Sequence, residues 1–332
     1  MQKGYSPSDY LYASARVRAL EAKLPAKEQL GAVLGGGNPA DLVAALFEAA
    51  GVAPAQAAKY TDTEEAMTAI LEGAMKVVCA SVPDPGITRL VALPYDAHNV
   101  KVYLKCEATG QDPLPLAIDL GTLPAAPLFE ALRQGDVSRL APHTGRALHE
   151  AKEAYAKTAD PREIDFLIDR ALYRDLAAEA ADFPFAAHLF AAKTDLSNIL
   201  IFLRLKRGNK DTAEALFSKS FLPGGTLDEA FFTPLFDEDE ASIAAAIAAK
   251  TPYGKVVENA EASTLSALEK RADDYVTHCL AEAKKQPFGP EIPLCYLLLL
   301  EGLLKNLRIV LLGRAAGLAG DTLLSRVRES YV

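Results

Sequence analysis

Apolar residues recur along most of the chain at helical spacing rather than in alternation. In one segment after another they fall at positions i, i+3, i+4 and i+7, which places them on one face of an α-helix. No window shows the sustained alternation of a half-buried strand, and the strong helix formers Ala, Leu, Glu, Lys and Arg dominate. The run from Pro184 to Gly208 contains a strand-like stretch but is too long for a typical strand. The pattern predicts an all-α protein.

Proline and glycine mark the ends of three predicted helical runs. Proline suits a first helical turn because the amide it lacks would be unpaired there, and glycine adopts the left-handed conformation just past a last turn. The three runs are Pro94 to Gly110, Pro184 to Gly208 and Pro293 to Gly313. Each contains an asparagine followed by apolar and basic residues, at positions 99, 198 and 306, so the asparagines lie 99 and 108 positions apart. That period is close to the size of a domain.

Two other features repeat with the asparagine runs. Gly121-Thr122-Leu123 matches Gly225-Thr226-Leu227, and a long helix is predicted before each run, at Glu64 to Val78, around Ile164 to Arg170 and around Leu265 to Asp273. A further helix, Tyr10 to Leu24, has the same basic and apolar mix without the asparagine. We predict three helical lobes, residues 1–93, 94–192 and 193–332, related by an approximate threefold repeat. The C-terminal helix of the third lobe is expected to pack back towards the N-terminal helix.

Composition and charge narrow the class of protein. The 332 residues are 50% hydrophobic and 24% charged, which is typical of a globular protein. The net charge of −9 argues against a broad nucleic-acid interface, which needs a basic face. The apolar stretch at 294–312 is interrupted by Glu301, Lys305 and Arg308, so it predicts a buried helix with one polar stripe rather than a membrane span. The first residues contain no apolar signal-peptide region, and the four cysteines lack metal or redox spacing, so we expect a cytoplasmic protein.

Motifs that would carry catalysis are missing from the sequence. The loop at 35–39 has no Gly-Lys-Ser/Thr after it, so it indicates a connection between helices rather than a phosphate loop. Asp273 and Asp274 begin a possible diphosphate-metal motif, but Thr277 stands where the last carboxylate is required. The acidic run at 237–240 precedes an Ala-rich helix, where negative charge stabilises a helix start. We expect no catalytic, cofactor or metal site.

The repeated asparagines allow two interpretations. Each could be a buried amide that hydrogen-bonds to backbone where helices cross, because an unpaired buried amide is costly. Alternatively, the asparagines mark equivalent places on three lobes whose basic neighbours face a shared central opening. On the second interpretation the candidate partner-binding residues are Tyr12, Arg16, Arg18, Asn99, Lys101, Asn198, Arg204, Asn306 and Arg308.

Several motifs in order along nearly the whole chain resemble a known family. They are Tyr10-x-Tyr12-Ala13-x-Ala15-Arg16-Val17-Arg18, Asp96-x-x-Asn99-x-Lys101, Asp195-x-x-Asn198-Ile199-x-x-x-Leu203-Arg204, Thr251-Pro252-Tyr253 and Glu301-x-x-x-x-Asn306-Leu307-Arg308. Each motif is weak alone, but their order and spacing are fairly specific. The chain resembles the C subunit of the V/A-type rotary ATPases, whose homologue in the eukaryotic vacuolar enzyme is called the d subunit.

The resemblance implies a non-catalytic, funnel-shaped, three-lobed helical protein without cofactors. In that family the protein lies on the cytoplasmic face of the membrane proteolipid ring and holds the central stalk, whose subunits are of the D and F type. It thereby couples ATP hydrolysis or synthesis to proton or sodium transport, with no membrane span of its own. From the residues alone, two alternatives stay open: a helical-repeat adaptor for a soluble protein or peptide, and a helical enzyme, which would need converging carboxylates.

Overall fold

The computed structural model describes residues 5–25, 27–53 and 62–329. Within these ranges the chain forms helices and contains no β-strand, so the all-α prediction is confirmed. The α-helices are α1 (Leu11–Glu21), α2 (Lys27–Leu34), α3 (Pro39–Ala49), α4 (Thr63–Cys79), α5 (Gly86–Thr109), α6 (Ala125–Arg133), α7 (Pro142–Thr158), α8 (Arg162–Ala180), α9 (Pro184–Lys206), α10 (Lys210–Ser220), α11 (Glu229–Phe232), α12 (Glu240–Lys250), α13 (Gly254–Val257), α14 (Leu265–Ala283), α15 (Glu291–Ala315) and α16 (Gly320–Arg326). Short 3₁₀ helices occur at Pro7–Tyr10, Leu114–Leu116, Thr233–Phe236 and Ala260–Ala262.

The chain divides into two compact units. Unit 1 comprises Met1–Thr88 and Glu238–Val332, and unit 2 comprises Arg89–Asp237. The prediction of three lobes, with boundaries after residues 93 and 192, stays a prediction.

The core of unit 1 is built around α15. Residues 292–300 of this helix are all buried, and α15 packs against α1, α4 and α14. The buried Tyr296 hydroxyl donates a 2.6 Å hydrogen bond to the carbonyl of Ala49 at the end of α3. Lys305 and Arg308 are exposed and Glu301 is half-buried, so the predicted buried helix with a polar stripe is confirmed.

In unit 2, α8 packs against α7 and α9, and α10 packs against α9. A cluster of phenylalanines fills the space beside α9 and α10. Phe202, Phe217 and Phe232 are almost fully buried, with ring centroids 5.0–5.5 Å apart in edge and tilted arrangements. These are the geometries that aromatic rings prefer, so the cluster provides both buried area and specific packing.

Some helices begin at a proline or end just before a glycine, as the sequence predicts. Pro184 lies in the first turn of α9, and Gly110, with φ of 70°, follows α5 in the left-handed conformation. Asn38 caps α3 by accepting a hydrogen bond from the amide of Ala40, which confirms that the glycine-rich loop connects two helices. Asp239 caps α12 by accepting from the amide of Ser242, as the acidic run predicts.

Two predicted helix ends are wrong. Pro94 lies inside α5, which begins at Gly86, because Ile87, Leu90 and Val91 are buried and continue the helical apolar stripe upstream of the proline. At the other end of the chain α15 continues past Gly313 to Ala315, and Gly317 adopts the left-handed conformation instead. A Cβ at position 313 would lie 2.1 Å from Leu323, so this glycine is explained by the close approach of α16.

Candidate functional site

The side-chain amide of Asn99 in α5 is fully buried and hydrogen-bonds to a distant segment of backbone. Its Nδ2 donates to the carbonyl of Ile118 at 2.9 Å, and its Oδ1 accepts from the amide of the same residue at 2.9 Å. One side chain therefore satisfies both backbone groups of a residue 19 positions further along the chain.

The other two asparagines make the same pair of hydrogen bonds. Asn198 in α9 binds the carbonyl and the amide of Leu222 at 2.8 and 2.9 Å. Asn306 in α15 binds the carbonyl and the amide of Arg328 at 3.0 and 2.8 Å. Both side chains are buried. This geometry is the one expected for buried amides that hydrogen-bond to backbone, and it makes the three positions equivalent in local structure.

In unit 2 each asparagine is accompanied by a buried aspartate three residues earlier. Asp96 accepts hydrogen bonds from the amide and the hydroxyl of Thr122 at 2.9 and 2.6 Å. Asp195 accepts from the amide and the hydroxyl of Thr226 at 2.8 and 2.5 Å, and from the amide of Leu227 at 2.9 Å. Leu303 occupies the corresponding position before Asn306, so the third asparagine has no such carboxylate beside it in the sequence.

The glycine before each of these threonines is required by close approach of the carboxylate. A Cβ at Gly121 would lie 2.2 Å from Oδ1 of Asp96, and a Cβ at Gly225 would lie 2.2 Å from Oδ1 of Asp195. The sequence contained this signal as Asp-x-x-Asn followed later by Gly-Thr, but the link between the two parts is a tertiary contact across 26 or 31 residues.

Burial raises the pKa of Asp96 to about 6, and the hydrogen bonds from Thr122 oppose that rise without cancelling it. The carboxyl group is therefore half protonated in mildly acidic solution, because its pKa lies well above that of a solvated aspartate.

The predicted basic residues are paired or exposed within their own units. Lys101 forms an ion pair with Asp169 of α8 at 2.7 Å. Arg308 forms an ion pair with Glu64 at 2.6 Å. Arg204 lies on an exposed part of α9. Lys101 and Arg308 each lie two residues after the repeated asparagine, whereas Arg204 lies six residues after it, so these three side chains are not in equivalent positions.

The candidates in α1 divide into one structural and two exposed side chains. The Arg18 guanidinium binds Glu21 at 2.6 Å and the carbonyls of Lys284 and Gln286 at 2.6 and 3.1 Å, so it ties α1 to the segment after α14. Tyr12 is 64% exposed, and Nη1 of the exposed Arg16 donates to its hydroxyl at 3.3 Å.

The described ranges contain no set of three or more histidine, cysteine, aspartate or glutamate side chains placed to hold a metal ion. In the same part of the chain, no helix combines the length and the apolar character that crossing a bilayer requires.

Fold and contacts together define an all-helical protein in which a repeated asparagine motif fixes helices to distant backbone. The chain belongs to the ATP synthase (C/AC39) subunit family, whose profile matches residues 13–326. The resemblance inferred from the motifs is thereby confirmed.

Three relatives illustrate the range of the family. The C subunit of the V-type sodium ATPase of Enterococcus hirae is 26% identical over 259 residues, covering 76% of this chain and 77% of the relative. The C subunit of the V-type ATP synthase of Deinococcus radiodurans is 25% identical over 291 residues, covering 81% and 79%. The C subunit of the A-type ATP synthase of Thermococcus kodakarensis is 24% identical over 350 aligned positions, covering 99% and 91%.

Proposed function

We propose that the protein is a non-catalytic adaptor in the central stalk of a V/A-type rotary ATPase. It joins the D- and F-type subunits of the rotor shaft to the membrane proteolipid ring, on the cytoplasmic face. Through this connection ATP hydrolysis or synthesis is coupled to proton or sodium transport. The observation that carries the proposal is the family match, which extends over residues 13–326.

The names of the relatives support a role in such a complex. They are subunits of ATPases or ATP synthases of the V and A types, and one of them belongs to a sodium ATPase. Matches that cover most of both chains favour a whole subunit of the same kind over a shared short motif.

An adaptor that transmits torque needs a stiff body. Hydrogen bonds between a buried side chain and distant backbone resist relative movement of the two segments, because breaking them leaves polar groups unpaired away from water. The paired hydrogen bonds of Asn99, Asn198 and Asn306 hold α5, α9 and α15 to segments 19 to 24 residues away. We therefore assign these asparagines a positioning role in the adaptor.

Direct contact with a partner is proposed for exposed side chains. In α1, Tyr12 and Arg16 are exposed side by side, next to Leu11, which is 52% exposed. Tyrosine and arginine are enriched at the centres of protein interfaces. Of the remaining basic residues, the exposed Arg204 and Arg308 would act at the rim of an interface, where charge steers association more than it sets affinity, whereas Lys101 is half-buried and paired with Asp169.

Capture from detergent-solubilised membranes tests the proposal. The tagged full-length chain is expected to retain stalk subunits together with the proteolipid, and high salt is expected to weaken that retention. Tyr12→Ala and Arg16→Gln should reduce retention, whereas Arg139→Gln, which changes another exposed arginine, should not. Capture of soluble proteins without proteolipid would instead favour a generic helical-repeat adaptor.

A further inference from the structure

A groove of about 420 Å³ lies between α7 and α8 of unit 2. Each helix contributes a stripe at the spacing i, i+3, i+4 and i+7, which brings side chains onto a single helix face. Ala147 and Ala171, both buried, occupy the i+4 positions of the two stripes, where their small side chains leave room for a depression.

The groove is lined by a cluster of basic side chains. Arg170 and Arg174 come from α8, and His143 and Arg146 come from the first turn and a half of α7. Among the described residues that line the groove, the only carboxylate belongs to Glu150. Three guanidinium groups face this one carboxylate, so the groove is positively charged even with a neutral imidazole.

Two of the arginines have no partner within the described part of the chain. Among residues 5–25, 27–53 and 62–329, nothing forms an ion pair or a hydrogen bond with the side chains of Arg170 or Arg174. Arg146 donates to the carbonyl of Pro142 and to Nδ1 of His143. Because a guanidinium can only donate, Nδ1 of His143 is the acceptor in this contact.

Another face of the same helix, α8, carries carboxylates that are paired with lysines. Asp165 and Asp169 of α8 form ion pairs with Lys105 and Lys101 of α5, so the basic residues on that side are neutralised. The stripe of α8 that lines the groove, by contrast, presents two arginines and no carboxylate. The next residue, Asp175, is buried beside the groove, where it accepts hydrogen bonds from the amides of His143 and Thr144 at the start of α7. In a chain of net charge −9, clustered arginines that lack partners in the described ranges indicate a site for an external anion.

The chemistry of the lining indicates a phosphate group. Guanidinium forks bind phosphate with two parallel hydrogen bonds, and several forks around one depression suit a compact anion of more than one charge. The described lining contains no aromatic side chain of phenylalanine, tyrosine or tryptophan on which a nucleobase could stack. We propose that the groove between α7 and α8 binds a phosphate group, carried by a soluble phosphate compound or by the headgroup of an anionic lipid.

The test uses the full-length protein and two probes. Inorganic pyrophosphate, titrated calorimetrically at constant ionic strength, represents the soluble source. Cosedimentation with phosphatidylcholine vesicles containing phosphatidic acid, compared with phosphatidylcholine alone, represents the lipid source. The variants are Arg170→Gln and Arg174→Gln, and the control is Arg139→Gln, which removes the same charge from an exposed arginine of unit 2 outside the groove.

We expect at least one probe to bind and each groove variant to weaken that binding by about tenfold or more, as loss of one charge-assisted hydrogen bond predicts. The control should change it less than about twofold. Binding of pyrophosphate identifies a soluble ligand, and binding of phosphatidic acid vesicles alone identifies a lipid. The proposal is overturned if neither probe binds, or if Arg139→Gln weakens binding as much as the groove variants do. Thermal unfolding of each variant checks that it is folded.

Discussion

Replacing Asn198 by alanine tests the structural role of the repeated asparagines. The substitution removes two hydrogen bonds, of 2.8 and 2.9 Å, to the carbonyl and the amide of Leu222. Asn198 is fully buried and Leu222 is nearly so, with 6% exposure, so water has little access to the groups left behind. The variant therefore contains two unpaired backbone groups in addition to the missing side chain.

The size of the effect follows from those two groups. A buried donor or acceptor left without a partner costs about 1–3 kcal/mol, so the pair predicts a loss of about 2–6 kcal/mol in the free energy of unfolding. Unit 2, residues 89–237, is of a size at which each kcal/mol lowers the Tm by about 2–4 °C. The Tm of the transition that involves unit 2 should fall by roughly 4–24 °C.

A matched control separates burial from the loss of an amide as such. Asn209 is exposed and caps α10 by accepting one hydrogen bond from the amide of Asp211. Asn209→Ala removes the same chemical group from the same unit and should cost about 1 kcal/mol, as typical N-cap removals do. Both variants are compared with the unchanged protein by urea unfolding followed by circular dichroism.

An equal, small effect of the two substitutions would refute the reasoning, because it would mean that the buried amide carries no more free energy than an exposed cap. A larger loss for Asn198→Ala supports it. Asn198→Leu, which fills the space but supplies no hydrogen bonds, should also be destabilised, which separates hydrogen bonding from cavity formation.

Further predictions concern individual contacts. Burial raises the pKa of Asp96 from 3.8 to about 6, so its carboxyl group contributes stability that is fully present below pH 3.8 and is lost as the pH rises through 6. The loss should reach up to about 3 kcal/mol in urea titrations, and Asp96→Asn should remove this pH dependence. Gly225→Ala should lower the Tm by several degrees, because the new Cβ would lie 2.2 Å from Oδ1 of Asp195. Gly302→Ala, in the interior of α15, places its Cβ where no atom lies within 4 Å and should raise the free energy of unfolding by about 0.5–1 kcal/mol. A calorimetric scan in which both variants behave alike would contradict this. Arg308→Gln breaks an exposed ion pair and should change the free energy of unfolding by less than about 1 kcal/mol, and a larger change in urea would show that the pair is structural.

The helical class and the repetition of the asparagine motif could both be recognised in the sequence, because both depend on local pattern. The apolar spacing in α4, α9 and α15 is regular enough to assign helices, and the proline at the first position of α9 marks its start. The proline in α5 misled the prediction because buried apolar residues before it outweigh the local rule.

Tertiary contacts could not be read in the same way. The aspartates before Asn99 and Asn198 are visible in the sequence, but their threonine partners lie 26 and 31 residues away, and only the folded chain brings them together. Likewise, the helical spacing of the residues that line the groove is visible in the sequence of each helix. The packing of α7 against α8 is a tertiary contact that local sequence does not predict. The pairing of Lys101 and Arg308 with carboxylates also depends on which helices are neighbours.

Reconstitution of the rotary complex with and without this chain tests the proposed adaptor role most directly. ATP hydrolysis by the soluble head and ion uptake into vesicles are measured on the same preparations. The account predicts that omission leaves nucleotide hydrolysis in place while ion pumping is lost, and that adding the purified chain restores pumping. Undiminished ion pumping in vesicles that lack the chain would contradict it.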